Sequence, residues 1–229
     1  MRVLDWEQPA NNDFLRVSQF SVTGALYTCR PDLVGFVNPD RSGLVVIELK
    51  KPGVPARAAF DENLTHYKAE IPQLFWFNAL LIASNGTDSR VGSLTADWER
   101  FFEWKRIERE DEPRRVSLEV MLRGTCDRSR LLDVVENFTL FSEHKAGLAK
   151  IIGQNHQVLG VNAAIASLHR IRPALANPAT LTPSPSPRGR GELGRRRDLT
   201  EKLLGLVQEE LVLETEDGVA HRAQVSISL

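Results

Sequence analysis

Two short apolar segments stand out in the pattern of hydrophobic and polar positions along the chain. Residues 33–37 and 44–49 are rich in valine and isoleucine, and proline, asparagine, aspartate and glycine flank them. Segments of this length and composition predict two buried β-strands joined by a turn at residues 38–43. Further strands are predicted at residues 19–23, at residues 80–83 before an Asn-Gly turn, and at residues 90–94 as an edge strand.

Apolar residues at helical spacing follow and separate these strands. Helices are predicted at residues 56–69, 128–138 and 155–171. The first begins after a proline-containing break, and Phe60, Leu64 and Tyr67 would face the sheet. Tyr67 is also open to a purely structural interpretation as a core residue.

An aromatic cluster lies between the strand predicted at residues 90–94 and the helix predicted at residues 128–138. It comprises Trp98, Phe101, Phe102 and Trp104. Exposed aromatic rings can stack on nucleic-acid bases. Acidic residues alternate here with the basic ones and offset their charge, so the sequence favours a core role for these rings.

The composition is that of a soluble globular protein. Of the 229 residues, 42% are hydrophobic and 26% are charged, and the net charge of −1 excludes a global basic field, so any DNA contact must use local patches. No apolar run approaches the ~20 residues of a membrane span, so no membrane partner is expected. Two cysteines far apart in the chain suggest reduced thiols and a cytoplasmic protein.

Three charged residues are positioned to meet at one end of the predicted strand pair. Glu48 and Lys50 are two positions apart, so they point to the same face of an extended strand. Asp32 lies at the start of the preceding strand. If the two strands form a hairpin, two carboxylates and one amine converge at the rim of an apolar sheet.

This arrangement suits magnesium-dependent hydrolysis of a phosphodiester. Mg²⁺ takes oxygen ligands, which Asp32, Glu48 and the Leu49 carbonyl could supply. The bound metal would polarise the phosphodiester and lower the pKa of a water molecule. Lys50 could orient that water or stabilise the developing charge. The alternative is a solvent-exposed strand end with ordinary charges, because the spacing of the three residues is loose.

Blocks of sequence spread over about residues 1–170 make the pattern more specific. They are NNDF at 11–14, QF at 19–20, RPD at 30–32, FVN at 36–38, VVIELKKP at 45–52, HYKAEIP at 66–72, SNG at 84–86, VGSLTA at 91–96 and HQVLGVNAAI at 156–165. In this order they resemble the N-terminal nuclease core of the type I restriction endonuclease R subunit, the cleavage and motor subunit. The resemblance implies an α/β fold with a PD-(D/E)xK restriction-endonuclease-like core, in which helices flank a mixed central sheet.

The resemblance also implies functional residues, cofactors and partners. Asp32, Glu48 and Lys50 match the catalytic triad, and Asn63-x-x-x-Tyr67 resembles the Gln-x-x-x-Tyr motif of related nucleases, with a shorter amide side chain. Gln157 matches a glutamine that contacts ATP in the full-length family. Expected partners are double-stranded DNA and the methylation and specificity subunits of a restriction complex. The sequence contains no G-x-x-x-x-G-K-[ST] phosphate loop, so we expect no ATP hydrolysis by this chain.

Beyond residue 172 the sequence changes character. The nuclease domain is predicted at residues 1–172, without the helices that precede NNDF in the family, followed by a disordered Pro/Arg-rich linker at 173–197 and a short helix-hairpin tail at 198–229. The linker resembles a translated dispersed repeat, which would mean a disrupted gene. It could instead be a basic segment that binds DNA phosphates. The expected function is therefore the DNA-cleavage core of an R subunit. The alternatives are a non-catalytic remnant or interaction fragment, and a free-standing metal-dependent nuclease without a motor.

Overall fold

A six-stranded mixed sheet forms the centre of the protein in a computed structural model, which describes residues 4–38, 43–109, 111–144 and 147–176. The strands are β1 Phe14–Ser18, β2 Val22–Thr23, β3 Thr28–Cys29, β4 Leu33–Val37, β5 Val45–Leu49, β6 Leu80–Ser84, β7 Ser89–Gly92, β8 Phe102–Glu103, β9 Thr139–His144 and β10 Gly147–Ile152. The sheet has the order β1-β4-β5-β6-β7-β8. Only β5 and β6 pair in parallel, and every other neighbouring pair in this sheet is antiparallel. The mixed α/β architecture expected from the sequence is confirmed.

Helices cover both faces of this sheet. A π-helical segment, Ala59–Leu64, continues directly into α1, Thr65–Glu70, and this helix lies in the crossover between the parallel strands β5 and β6. The later helices are α2 Ser117–Thr125, α3 Arg128–Asn137 and α4 Asn155–Ala176. None of the helices among the described residues has the length and apolar character needed to cross a membrane.

The alternation of side chains along the strands divides the core in two. On one face, Val34 and Val46 pack with Leu64 and Tyr67 of the crossover helix. On the other face, Val45 and Ile47 pack with apolar residues of the later helices: Val120, Met121, Leu131, Val134 and Val158. Because side chains alternate in a strand, the even-numbered residues of β5 all face the crossover helix, and this parity places Glu48 on that side.

Two members of the aromatic cluster are fully in the core, as expected. Phe101 and Trp104 are 1% and 3% exposed. They pack into different clusters, Phe101 with the crossover helix and Trp104 with the later helices. Trp98 and Phe102 are partly buried against the same two clusters. The cluster therefore joins the two faces at the β8 end of the sheet.

Several sequence predictions need correction. The strand predicted at 19–23 is wrong in its first half, because Gln19 has a left-handed φ of 53° and strand structure is confined to Phe14–Ser18 before it and Val22–Thr23 after it. The strand near residues 90–94 is not at the edge of the sheet, since β8 pairs with it. Helix α2 and the β9–β10 hairpin were not anticipated, and α4 extends beyond the predicted residue 171 to Ala176.

Some predicted features fall outside the described residues. Positions 39–42 of the predicted turn belong to this group, as do residues 177–197 of the predicted linker and the whole predicted tail at 198–229. They remain predictions from the sequence.

Two helical glycines predict opposite effects of the same substitution. A Cβ at Gly124 in α2 would overlap the buried Trp104 indole, whereas a Cβ at Gly160 in α4 would meet nothing within 4 Å. We expect Gly124→Ala to destabilise the protein by about 1–3 kcal/mol through overpacking. Gly160→Ala should stabilise it by about 0.5–1 kcal/mol, because alanine loses less conformational freedom in a helix. Urea denaturation of both variants measures the difference, and equal shifts would contradict the packing at Trp104.

Candidate active site

Asp32 and Glu48 lie side by side because of the register between β4 and β5. Leu33 pairs with Ile47 in this antiparallel ladder, so the next pair outward is Asp32 with Glu48. The Asp32 amide donates to Glu48 Oε2 at 3.3 Å, and the Leu49 amide donates to Asp32 Oδ2 at 2.9 Å. Each carboxylate thus accepts a hydrogen bond from the strand that carries the other.

Glu48 is a buried carboxyl group with a strongly raised pKa. The residue is only 4% exposed. Burial is the main cause that raises its pKa to about 7, and the negative charge of Asp32 raises it further. Hydrogen bonds from the Asp32 amide and Tyr67, together with the charge of Lys50, act in the opposite direction. The ionised form of Glu48 is therefore costly unless a positive charge lies close to it.

A hydrogen-bonded pair on the crossover helix reaches Glu48 from above the sheet. Asn63 Nδ2 donates to the Tyr67 hydroxyl at 3.3 Å, and that hydroxyl donates to Glu48 Oε1 at 3.3 Å. Burial raises the pKa of Tyr67 to about 12, so its hydroxyl remains a proton donor at neutral pH. Asn63 Oδ1 is buried without a hydrogen-bond partner among the described residues.

Lys50 contacts the crossover helix, which also contacts Glu48. Its amide donates to the Ser84 carbonyl at 2.7 Å, which extends the β5–β6 pairing by one residue. Its ammonium group forms an ion pair with Glu62 Oε2 at 2.7 Å, with side-chain exposures of 19% for Lys50 and 67% for Glu62. Both charged residues of β5 and its extension therefore point to the crossover-helix face.

Sequence reasoning missed two residues of this site, Glu62 and Gln19. In an α-helix, residues five apart do not share a face, so nothing indicated that Glu62 would accompany Tyr67. The π-helical segment has i→i−5 hydrogen bonds, as in the bond from the Thr65 amide to the Phe60 carbonyl, so α-helical spacing does not predict where its side chains point. Gln19 donates from Nε2 to Asp32 Oδ1 at 2.7 Å. The only available signal for it was its place in the QF block.

Gln157 does not join the other predicted site residues. It lies exposed in the first turn of α4, where its Oε1 accepts a hydrogen bond from the Gln154 amide at 2.8 Å. A side chain that reaches back to the helix start in this way stabilises the helix N-terminus. The neighbouring Val158 packs into the core on the opposite face of the sheet from Glu48.

The donor set at Asp32 and Glu48 fits a hard divalent cation. Among the described residues there is no group of three or more His, Cys, Asp or Glu side chains that could hold a metal ion. Mg²⁺ does not need one, because it is commonly bound through one or two carboxylates and keeps several water ligands. A cation here would also offset the charge repulsion that helps to raise the pKa of Glu48.

Comparisons with known proteins find similarity over the part of the chain that holds this site. Residues 1–100 match the family model of the type I restriction enzyme R protein N terminus. The chain is 38% identical over 176 residues to the type I restriction enzyme HindI endonuclease subunit of Haemophilus influenzae, which is 73% of this chain and 16% of that protein. It is 28% identical over 186 residues to the putative type I restriction enzyme MjaIXP endonuclease subunit of Methanocaldococcus jannaschii, covering 72% of this chain and 17% of that protein.

The matched region and the site coincide. The chain spans about a sixth of the length of these curated relatives. The family match includes Asp32, Glu48, Lys50, Asn63 and Tyr67, and it stops well before Gln157. Residues 1–100 therefore belong to the family of the type I restriction enzyme R protein N terminus.

Proposed function

We propose that this chain carries the DNA-cleavage core of a type I restriction enzyme R subunit and hydrolyses phosphodiesters with Mg²⁺ in a PD-(D/E)xK site. The observation that carries the proposal is the pairing of Asp32 with Glu48 across two adjacent strands, with Lys50 on the same face as Glu48. The relatives are named as endonuclease subunits of type I restriction enzymes, which supports DNA as the substrate.

The residues of the site divide into ligands, a cationic group and supporting groups. Asp32, Glu48 and the Leu49 carbonyl would hold Mg²⁺. The bound ion would supply an activated water and polarise the phosphodiester. Lys50 stabilises negative charge that develops on the phosphate in the transition state. Tyr67, held by Asn63, fixes the orientation of the Glu48 carboxylate through its hydroxyl hydrogen bond.

Specificity and energy supply would come from outside this region. The net charge of the whole sequence is −1, so the chain has no overall basic field to draw it to DNA. We propose that the specificity and methylation subunits select the DNA, and that ATP serves the full-length family through a separate motor. Gln157 keeps its proposed contact to ATP only in that full-length setting.

The proposal is tested by nicking of supercoiled plasmid with the purified chain. We expect weak nicking in the presence of Mg²⁺, no nicking with excess chelator, and similar rates on two plasmids of unrelated sequence. Metal dependence follows because the two carboxylates and the lysine offer no nucleophile of their own. Nicking that persists in chelator, or cleavage at one defined sequence, would contradict the proposed site.

The second candidate is a non-catalytic role as a binding fragment of the restriction complex. The ion pair of Lys50 with Glu62 favours it, because this pair holds the lysine ammonium with a protein carboxylate at 2.7 Å. Under this alternative the chain binds the methylation or specificity subunits and shows no Mg²⁺-dependent nicking. Co-purification with those subunits, combined with the absence of nicking, would favour it over the cleavage core.

A further inference from the structure

Gln19 occupies a backbone conformation that glutamine rarely adopts. It follows β1 directly, and its φ of 53° lies in the left-handed region. For a residue with a Cβ atom this region is sterically disfavoured, and such residues persist where surrounding contacts hold them. The next residue, Phe20, packs its ring against Phe36 of β4 at a centroid distance of 5.4 Å, which anchors the turn on the sheet.

The strained turn aims Gln19 at Asp32 through two hydrogen bonds. The Gln19 amide donates to the Asp32 carbonyl at 2.9 Å. The Gln19 side-chain Nε2 donates to Asp32 Oδ1 at 2.7 Å. The second carboxylate oxygen, Oδ2, accepts from the Leu49 amide at 2.9 Å. Both oxygens of Asp32 therefore have one fixed donor each, from opposite sides of the residue.

Two fixed donors leave the carboxylate able to bind a cation. Each carboxylate oxygen has two lone pairs, so one protein donor per oxygen leaves lone pairs that can coordinate a metal. The same two bonds prevent rotation of the Asp32 carboxylate about its terminal torsion angle. Hydrogen-bond partners that orient a metal-binding carboxylate commonly change metal affinity by 10–100-fold when they are removed.

We infer that Gln19 is a positioning residue that orients the Asp32 carboxylate for Mg²⁺, an inference that rests on the proposed function. The strained backbone of Gln19 is the means by which the end of β1 delivers an amide donor to the start of β4. Gln19 itself does not contact the metal or the DNA phosphate.

The experiment compares two substitutions that differ in backbone strain and share the loss of the side chain. Gln19→Ala keeps the left-handed penalty, whereas Gln19→Gly removes it. We expect a higher Tm for the glycine variant than for the alanine variant. The probe is Mg²⁺ alone at constant ionic strength, and the readout is the apparent Mg²⁺ dissociation constant, obtained by fitting the logarithmic rise in Tm with Mg²⁺ concentration. We expect this constant to rise about tenfold in both variants.

The control is Gln73→Ala. Gln73 also makes a side-chain hydrogen bond, since its Nε2 donates to the Thr23 carbonyl at 3.2 Å. The apparent Mg²⁺ dissociation constant of this variant should equal that of the wild type. An unchanged constant in both Gln19 variants would overturn the role of Gln19 and leave the metal site standing. A rise confined to the less stable variant would also overturn it, because the effect would then follow stability. A wild-type chain whose Tm does not respond to Mg²⁺ would overturn both the metal site and the role of Gln19.

Discussion

Glu48→Gln should stabilise the metal-free protein at pH 8 and abolish Mg²⁺-dependent nicking. The pKa of Glu48 rises from 4.5 to about 7 on folding, and each unit corresponds to about 1.4 kcal/mol. The expected gain in the free energy of unfolding is therefore on the order of 3 kcal/mol at pH 8. Glutamine keeps an oxygen for the Asp32 amide and can donate to the Tyr67 hydroxyl.

The sign of the pH dependence follows from the direction of this shift. Since the folded pKa is above the unfolded one, the folded state binds the proton more tightly. The stability that the protonated group contributes is fully present below pH 4.5 and is lost progressively as the pH rises through about 7. The wild type and Glu48→Gln should thus have similar stabilities near pH 4, and their stabilities should diverge as the pH rises from 4.5 to about 7.

Urea denaturation at a series of pH values, with chelator present throughout, measures this divergence. Glu103→Gln serves as the control, because Glu103 is an exposed carboxyl on β8. Its stability should follow that of the wild type at every pH. A Glu48→Gln variant no more stable than the wild type at pH 8 would show that Glu48 is not a buried, costly charge.

Lys50→Ala should lower Mg²⁺-dependent nicking at least 100-fold with little loss of stability. Removal of one preorganised group that stabilises transition-state charge typically costs about 10²–10³ in rate. The ion pair with Glu62 contributes little to folding, because Glu62 is 67% exposed and such pairs are worth at most about 1 kcal/mol. Single-turnover plasmid nicking and thermal denaturation of the same preparation separate the two effects.

Lys51→Ala is the matched control for this variant. Lys51 is the adjacent lysine, and it is exposed. It should retain wild-type nicking, because a side chain one position further along points away from the site. Equal nicking by the wild type, Lys50→Ala and Lys51→Ala would exclude Lys50 from the reaction and would point to a cleavage site elsewhere.

The placement of Asp32 and Glu48 was predictable because it depends on strand parity and strand pairing. Two apolar segments separated by a short polar turn leave few arrangements other than an antiparallel pair, and side chains alternate strictly along each strand. The same physics predicted that Glu48 and Lys50 share a face. The helix that carries Asn63 and Tyr67 was predictable from its apolar spacing.

The contacts of Glu62 and Gln19 could not be predicted in this way. Glu62 reaches Lys50 through a π-helical segment, and no simple sequence pattern separates that from an α-helix. Gln19 takes a left-handed conformation that its residue type disfavours, so local preference argued for a strand instead. The β9–β10 hairpin was missed because several of its apolar residues, including Leu140, Phe141 and Leu148, are exposed and give no clear burial pattern.

The π-helical segment makes chain length itself a determinant of the site. Residues Ala59–Leu64 contain more residues per turn than the α-helix that follows. Deleting one residue here would let the helix close as an α-helix, and the parts of the helix before and after the deletion would keep nearly the same relative orientation, because the wider turn holds one extra residue. A deletion between Glu62 and Tyr67 would place Glu62 four residues before Tyr67, the position that Asn63 now holds. A one-residue gap at this point of an alignment therefore changes which side chains of the segment face Tyr67 and Lys50, while the rest of the helix keeps its orientation.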